Sequence, residues 1–197
     1  MFTGLIEAVG HVADATLTAS GMRLSIRAAL AAEMHAGDSL AVNGVCLTVI
    51  LIDGEHVLAD VAPETARITT LGALRRGQNV NLERPMRLDG RVDGHLVLGH
   101  VDGVGTVDEI RPEGDSQWLT IGFQPALAPY LIRKGSVTVD GISLTIAGLG
   151  ERQFDVQVIP YTWANTSLKD VKKSDRVNLE CDMIGKYVVR AMELRGQ

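Results

Sequence analysis

The chain writes one phrase twice. Residues 43–49 read NGVCLTV and residues 140–146 read DGISLTI. Slid by 97 positions, 43–86 and 140–183 agree at thirteen of forty-four places. The matches include Pro63/Pro160, Thr65/Thr162, Thr69/Thr166, Leu71/Leu168 and the run Val80-Asn81-Leu82-Glu83 against Val177-Asn178-Leu179-Glu180. Nearer the start the offset is 95, with Gly4 against Gly99 and Val9-Gly10 against Val104-Gly105. Whatever one half folds into, the other half must fold into as well. Two halves of roughly 95 residues fit this better than a solenoid, which needs several shorter repeats.

Each half reads as β. Short runs of apolar and polar residues recur at His11–Ala13, Leu24–Ile26, Leu40–Val42, Leu47–Val49, Val57–Ala59 and Val80–Leu82. Their mates are Val104–Val107, Leu119–Ile121, Val137–Val139, Leu144–Ile146, Phe154–Val158 and Val177–Leu179. Asn43-Gly44, Asp140-Gly141 and Asp53-Gly54 tolerate the positive φ angles of tight turns. Evenly spaced short strands predict a small closed barrel or sandwich in each half. Short helices are expected near Ala28–Met34 and Thr69–Leu74, matched by Pro125–Ile132 and Ser167–Val171. The tail KYVVRAMELR, Lys186–Arg195, has helical spacing of its apolar residues and no mate in the first half. It either self-associates or docks on its own barrel.

Composition excludes several classes. A net charge of −5 with no basic face argues against nucleic acid. No apolar run approaches the ~18 residues of a membrane helix, and the start lacks a secretory pattern. With only Cys46 and Cys181, free thiols in a cytoplasmic protein are expected. His95 and His100 stand close in sequence but not at a zinc spacing, and no metal site is expected. At 4% aromatic residues, Val, Leu, Ile and Ala must fill the core.

Six blocks carry a family signature: MFTGLIE at the start, GDSLAVNGVCLTV (37–49), PETARITTLG (63–72), GHLVLGHVDG (94–103), KGSVTVDGISLT (134–145) and NLECDMIGKYV (178–188). In this order they resemble riboflavin synthase of the trimeric, duplicated type, over essentially the whole chain. The resemblance implies a mainly β protein of two tandem homologous six-stranded antiparallel Greek-key β-barrels plus a C-terminal α-helix. Residues 1–96 and 97–185 would each form a lumazine-binding barrel, and 186–197 a helix for oligomerisation. Two molecules of 6,7-dimethyl-8-ribityllumazine would exchange a four-carbon unit, giving riboflavin and a ribitylamino-pyrimidinedione. The resemblance implies no metal and no organic cofactor. It implies a homotrimer whose active site lies between barrels of neighbouring subunits. Association with a lumazine synthase shell is left open.

Two identical substrates must act unequally, as donor and acceptor. Repeats that diverge supply that asymmetry, as at Cys46/Ser143, Asn43/Asp140 and Glu64/Tyr161. Carried onto this chain, the family pattern makes His100 the candidate for proton transfer, since histidine titrates near neutrality. Cys46 becomes the candidate nucleophile or polar activator. Ser143 would hydrogen-bond the other substrate, Lys134 would steady negative charge on the ring, and Asp140 would bring charge near the second pocket or serve its turn. Contact segments would be Gly4-Leu5-Ile6 and Gly99-His100-Val101. With them stand Cys46-Leu47-Thr48 and Ser143-Leu144-Thr145, then Asp60-Val61-Ala62-Pro63-Glu64-Thr65 and Gln157-Val158-Ile159-Pro160-Tyr161-Thr162. Thr48 and Thr145 either offer hydroxyls to substrate or pair across strands. His95 reads as a structural hydrogen-bonding residue, and Cys181 as packing. Tyr161 stands where the family pattern has a smaller or more polar residue.

Two other readings compete. A carrier of lumazine or flavin on the same duplicated barrel would keep one working pocket, whereas here both halves retain the LT phrase. A flavin barrel of an electron-transfer enzyme would need a nicotinamide domain with a βαβ glycine fingerprint, which the chain lacks.

Overall fold

The computed structural model describes residues 1–195. The first half places six strands, β1 (Ala8–Thr18), β2 (Gly21–Arg27), β3 (Ser39–Val42), β4 (Val45–Asp53), β5 (His56–Val61) and β6 (Asn79–Glu83). They close into a barrel in the order β1-β2-β5-β4-β3-β6. The second half places β7 (Gly103–Glu113), β8 (Ser116–Gly122), β9 (Ser136–Val139), β10 (Ile142–Leu149), β11 (Gln153–Val158) and β12 (Arg176–Cys181). Its order, β7-β8-β11-β10-β9-β12, is the same one shifted by six, and all pairings in both barrels are antiparallel. Closure leaves no free sheet edge in either half.

The repeated phrase forms the hairpin at the same place in each barrel. Val42 pairs with Val45 and Val139 with Ile142, leaving two-residue turns. Both turn residues have positive φ: Asn43 at 45° and Gly44 at 76°, Asp140 at 46° and Gly141 at 80°. This is the primed turn that matches strand twist, and it accounts for Asn-Gly and Asp-Gly.

Alternation sorts the strands into core and surface. Leu24, Ile26, Leu40 and Leu82 are among the residues that fill the first barrel, and Leu119, Ile121, Ile146 and Phe154 the second. A third cluster lies between them. Phe2 and Val97 exchange backbone hydrogen bonds of 2.7 and 3.1 Å and pack with Ala41 and Cys46.

The seam between barrels is polar and nearly symmetric. Asn81 N–H donates to Asn43 Oδ1 (2.7 Å), and Asn178 N–H donates to Asp140 Oδ1 (2.8 Å). The side-chain amide of Asn81 then crosses to the Asp140 carbonyl (3.0 Å), and that of Asn178 to the Asn43 carbonyl (2.8 Å). Their side-chain oxygens accept from Ser167 N and Thr70 N respectively. All four residues at 43, 81, 140 and 178 are buried, so each polar group must find a partner, and the side-chain amides of Asn81 and Asn178 find theirs in the other barrel.

The helices depart from expectation in detail. The segments Ala29–Glu33, Pro125–Tyr130, Thr70–Ala73 and Ser167–Asp170 are single 3-10 turns. Two α-helices precede the latter pair, α1 (Pro63–Ile68) and α2 (Pro160–Asn165). Six residues are too few to show periodicity, but Pro63 and Pro160 stand at the first helical position, where a missing N–H costs nothing. The terminal helix α3 spans Met183–Arg195, starting three residues before the expected Lys186; residues 196 and 197 of the expected segment lie outside the described residues.

Candidate active site

Outward alternation exposes one polar ledge on each barrel. In β4 the side chains of Val45, Leu47 and Val49 point into the core, leaving Cys46 half-buried and Thr48 exposed. In β10 Ile142, Leu144 and Ile146 point inward, leaving Ser143 half-buried and Thr145 exposed. The LT phrase therefore serves both packing and surface. Thr48 also stands opposite Ser39, and Thr145 opposite Ser136.

The two glycine segments cross between barrels. Cys46 N–H, in the first barrel, donates to the Gly99 carbonyl (2.9 Å), and Val101 packs on that barrel's core. Ser143 N–H, in the second, donates to the Gly4 carbonyl (2.8 Å), and Ile6 packs on the second core. Gly4 and Gly99 have φ of 77° and 79°, and a Cβ on either would lie 2.6 Å from the Cβ of Ser143 or Cys46. Only glycine permits both the conformation and the approach. His100 follows Gly99 with an exposed side chain, and Leu5 follows Gly4, also exposed.

Two buried carboxylates hold these segments. Glu83 accepts from Thr3 N (2.6 Å), Thr3 Oγ1 (2.8 Å) and Gly4 N (3.0 Å). Glu180 accepts from Leu98 N (2.7 Å), Gly99 N (2.9 Å) and His100 N (3.0 Å). Burial pushes both carboxyls above their ordinary range, and the hydrogen bonds they accept oppose it. Neither glutamate, nor the asparagine two residues before it, is an expected site residue. The signal was the run VNLE, repeated without change in halves that differ at most other places.

The remaining expected residues fall as follows. β5 runs beside β4, with Val49 opposite Ala59, and delivers Asp60-Val61-Ala62 into α1 with Pro63, Glu64 and Thr65. Asp60 is bonded by Arg23 (2.7 and 3.0 Å), and Glu64 by Arg67; each guanidinium lowers its carboxyl's pKa. β11 delivers Gln157-Val158-Ile159 into α2 with Pro160, Tyr161 and Thr162, and both Ile159 and Tyr161 are exposed. Lys134 is exposed; its N–H donates to the Ile146 carbonyl (2.8 Å), next to Thr145. Asp140 lies apart from these, in the barrel seam, where burial pushes its carboxyl up to about 7.

The two ledges differ at one further point. His95 Nδ1 lies 2.7 Å from Ser143 Oγ, and burial pushes the imidazole below its ordinary value. Cys46 has no such neighbour among the described residues. Cys181 is buried, with its thiol pushed up to about 12, and is inert as a nucleophile. Trp163 packs against the second core. An open groove of about 730 Å³ runs along the seam, lined by Asn43, Thr70, Asp140 and Ser167. It contains none of Cys46, Ser143 or His100, and Asp170 and Asp175 in it are engaged by Asn79 and Lys172 N. The seam groove is therefore separate from the two ledges. Among the described residues no cluster of three His, Cys, Asp or Glu could hold a metal, and no helix is long and apolar enough to cross a membrane.

A barrel repeated twice, each copy with a polar ledge and a glycine segment, defines a tandem lumazine-binding protein. The lumazine binding domain model matches residues 3–85 and again 98–182. The chain is 44% identical over 189 residues to riboflavin synthase of Actinobacillus pleuropneumoniae, covering 95% of this chain and 88% of that one. It is 45% identical over 202 residues to riboflavin synthase of Mycobacterium tuberculosis, covering all of both. It belongs to the riboflavin synthase family. Among solved structures, LumP complexed with flavin mononucleotide superposes with a TM-score of 0.82 at 26% identity, covering 92% of this chain and 99% of that one. LumP complexed with riboflavin gives 0.86 at 24% identity over the same shares, a likeness of fold.

Proposed function

We propose that this chain is a riboflavin synthase: it dismutates two molecules of 6,7-dimethyl-8-ribityllumazine by four-carbon transfer, giving riboflavin and 5-amino-6-ribitylamino-pyrimidinedione. The observation that carries this reading is the pair of matching ledges, each completed by a glycine segment that crosses from the other half. One fold thus offers two related lumazine sites that differ in Cys46 against Ser143 and in the His95 contact.

His100 moves a proton to or from the ring methyl group of one lumazine; its exposed imidazole, next to the crossing glycine, suits that task. Cys46 acts at the same ledge as nucleophile or polar activator. Ser143, oriented by His95, hydrogen-bonds the second lumazine, and Lys134 steadies developing negative charge. Backbone groups of 4–6 and 99–101 that Glu83, Glu180, Cys46 and Ser143 do not engage, with those of 60–65 and 157–162, meet the ring edge and the ribityl hydroxyls. Asp140 contributes through the seam, since its carboxylate is engaged by Asn178. The reaction uses no added cofactor.

The site is completed between subunits of a homotrimer. Supporting this, α3 exposes Ile184, Tyr187, Val188, Met192 and Leu194, apolar residues of the kind that gather at association surfaces. We place the enzyme in the cytoplasm, where Cys46 and Cys181 stay reduced.

The test is incubation of purified protein with the lumazine alone, following riboflavin by absorbance and chromatography. One riboflavin per two lumazines consumed is expected, with Cys46→Ala and His100→Gln both slowed. Tight binding without riboflavin would make the chain a carrier.

A further inference from the structure

The two halves balance one acidic pair in different ways. In the first half the segment clamp Glu83 lies near Glu7, which accepts from Arg84 N (2.9 Å) and pairs with Arg84 Nε (2.7 Å). The equivalent positions in the second half are Glu180, Asp102 and Cys181. Asp102 accepts from Cys181 N (2.8 Å), as Glu7 does from Arg84 N. Position 181, however, carries no charge. The cation comes instead from outside the barrel: Lys186 Nζ, in α3, lies 2.6 Å from Asp102 Oδ2, in a pair three-quarters buried.

We infer that Lys186 is a positioning residue for the His100 segment: α3 supplies the positive charge that lets Asp102 and Glu180 stand together and hold Leu98–His100 in place. Three facts converge. Glu180 is 1% exposed and binds three consecutive amide groups that end at His100. Asp102 is two residues beyond His100 and is anchored at its own amide by the Leu179 carbonyl (2.8 Å). Lys186 favours the charged form of Glu180, which Asp102 and burial oppose. A buried carboxylate that feels a second one is held in its charged form by a cation at that second group. The first half carries its cation in the strand end itself, so the Gly4 segment is independent of α3. The Gly99–His100 segment is not. Seating of the C-terminal helix and placement of the candidate proton-transfer residue are therefore one event.

The inference rests on the assignment of His100 to proton transfer, and the experiment separates the two. Lys186→Met keeps the stem and removes the charge; adding Asp102→Asn to it removes the carboxylate that the charge offsets; Lys186→Arg restores the charge. Amide hydrogen exchange over residues 98–100 is compared with kcat and KM for the lumazine, after size-exclusion chromatography shows unchanged assembly. Expected are an exchange rate about tenfold faster in Lys186→Met, a kcat lower by a similar factor with KM little changed, and recovery of both in Lys186→Arg and in Lys186→Met/Asp102→Asn. Wild-type exchange at 98–100 in Lys186→Met, or exchange as fast in Lys186→Met/Asp102→Asn as in Lys186→Met, would overturn the inference. Faster exchange at an unchanged kcat would uphold the link and overturn the role of His100. A wild-type rate in His100→Gln would do the latter alone.

Discussion

Gly44 and Gly141 stand back to back across the seam: a Cβ on either would lie 2.7 Å from the amide nitrogen of the other. Each is the second residue of the repeated hairpin turn, with φ near 80°. The turn that shapes one barrel is thus also the surface on which the other barrel rests.

Gly44→Ala and Gly141→Ala are therefore expected to destabilise far more than alanine in an open turn. Left-handed backbone costs a non-glycine residue roughly 1–2 kcal/mol, and overpacking adds about 1–3 kcal/mol. Chemical denaturation checks this. Gly54→Ala, with a positive φ but nothing near its Cβ, serves as the control and loses only the first part.

Asp140→Asn is expected to stabilise the protein above neutrality. The wild-type carboxyl titrates near 7 in the fold against about 3.8 when unfolded, so between those values the native state holds the extra proton. Stability contributed by this group falls as pH rises from 4 to 7, by up to about 4 kcal/mol. Asparagine keeps the acceptor for Asn178 N, as Asn43 does for Asn81 N, and removes the charge. The difference in melting temperature between variant and wild type should grow from pH 4 to pH 8. Unchanged turnover in the variant would restrict Asp140 to the seam.

Ser174→Gly is expected to stabilise by about 0.5–1 kcal/mol, because Ser174 holds φ at 75° where its mate Gly77 has 89°. Lys134, at 69°, faces Gly37 in the same relation. Lys134→Gly should gain similar stability and lose turnover, the mark of strain kept for function. Thermal melts beside steady-state rates distinguish the two positions.

Ser143→Ala strands His95, whose Nε2 is already buried without a partner, and is expected to cost about 1–3 kcal/mol. Cys46→Ala strands no buried polar group and should cost less, by the loss of a half-buried sulfur from the Phe2–Val97 cluster. Urea midpoints of the two variants test the asymmetry between the ledges.

The duplication, the strands, the hairpin turns and the Cys46/Ser143 difference were legible in the sequence, most plainly in residues 43–49 and 140–146. These features depend on local rules: a two-residue alternation, a turn that needs positive φ, and a core that needs Leu or Val at every second place. The family blocks made the lumazine chemistry readable as well. What the tertiary structure alone decided is who meets whom. Asp140, readable as a site charge or a turn residue, lies in its turn at the seam. Asn81, Asn178, Glu83 and Glu180 looked like a shared strand end, and they lock the barrels together and clamp the crossing segments. Lys186 looked like a residue of a surface helix, and it neutralises an acid two residues from His100. Their partners are some eighty or more residues away for Asn178 and Glu180, and in the second barrel the counter-charge comes from an element with no repeat mate. Buried polar groups take whatever partner the closed barrels bring within 3 Å, and closure and docking are properties of the whole chain that no local pattern carries.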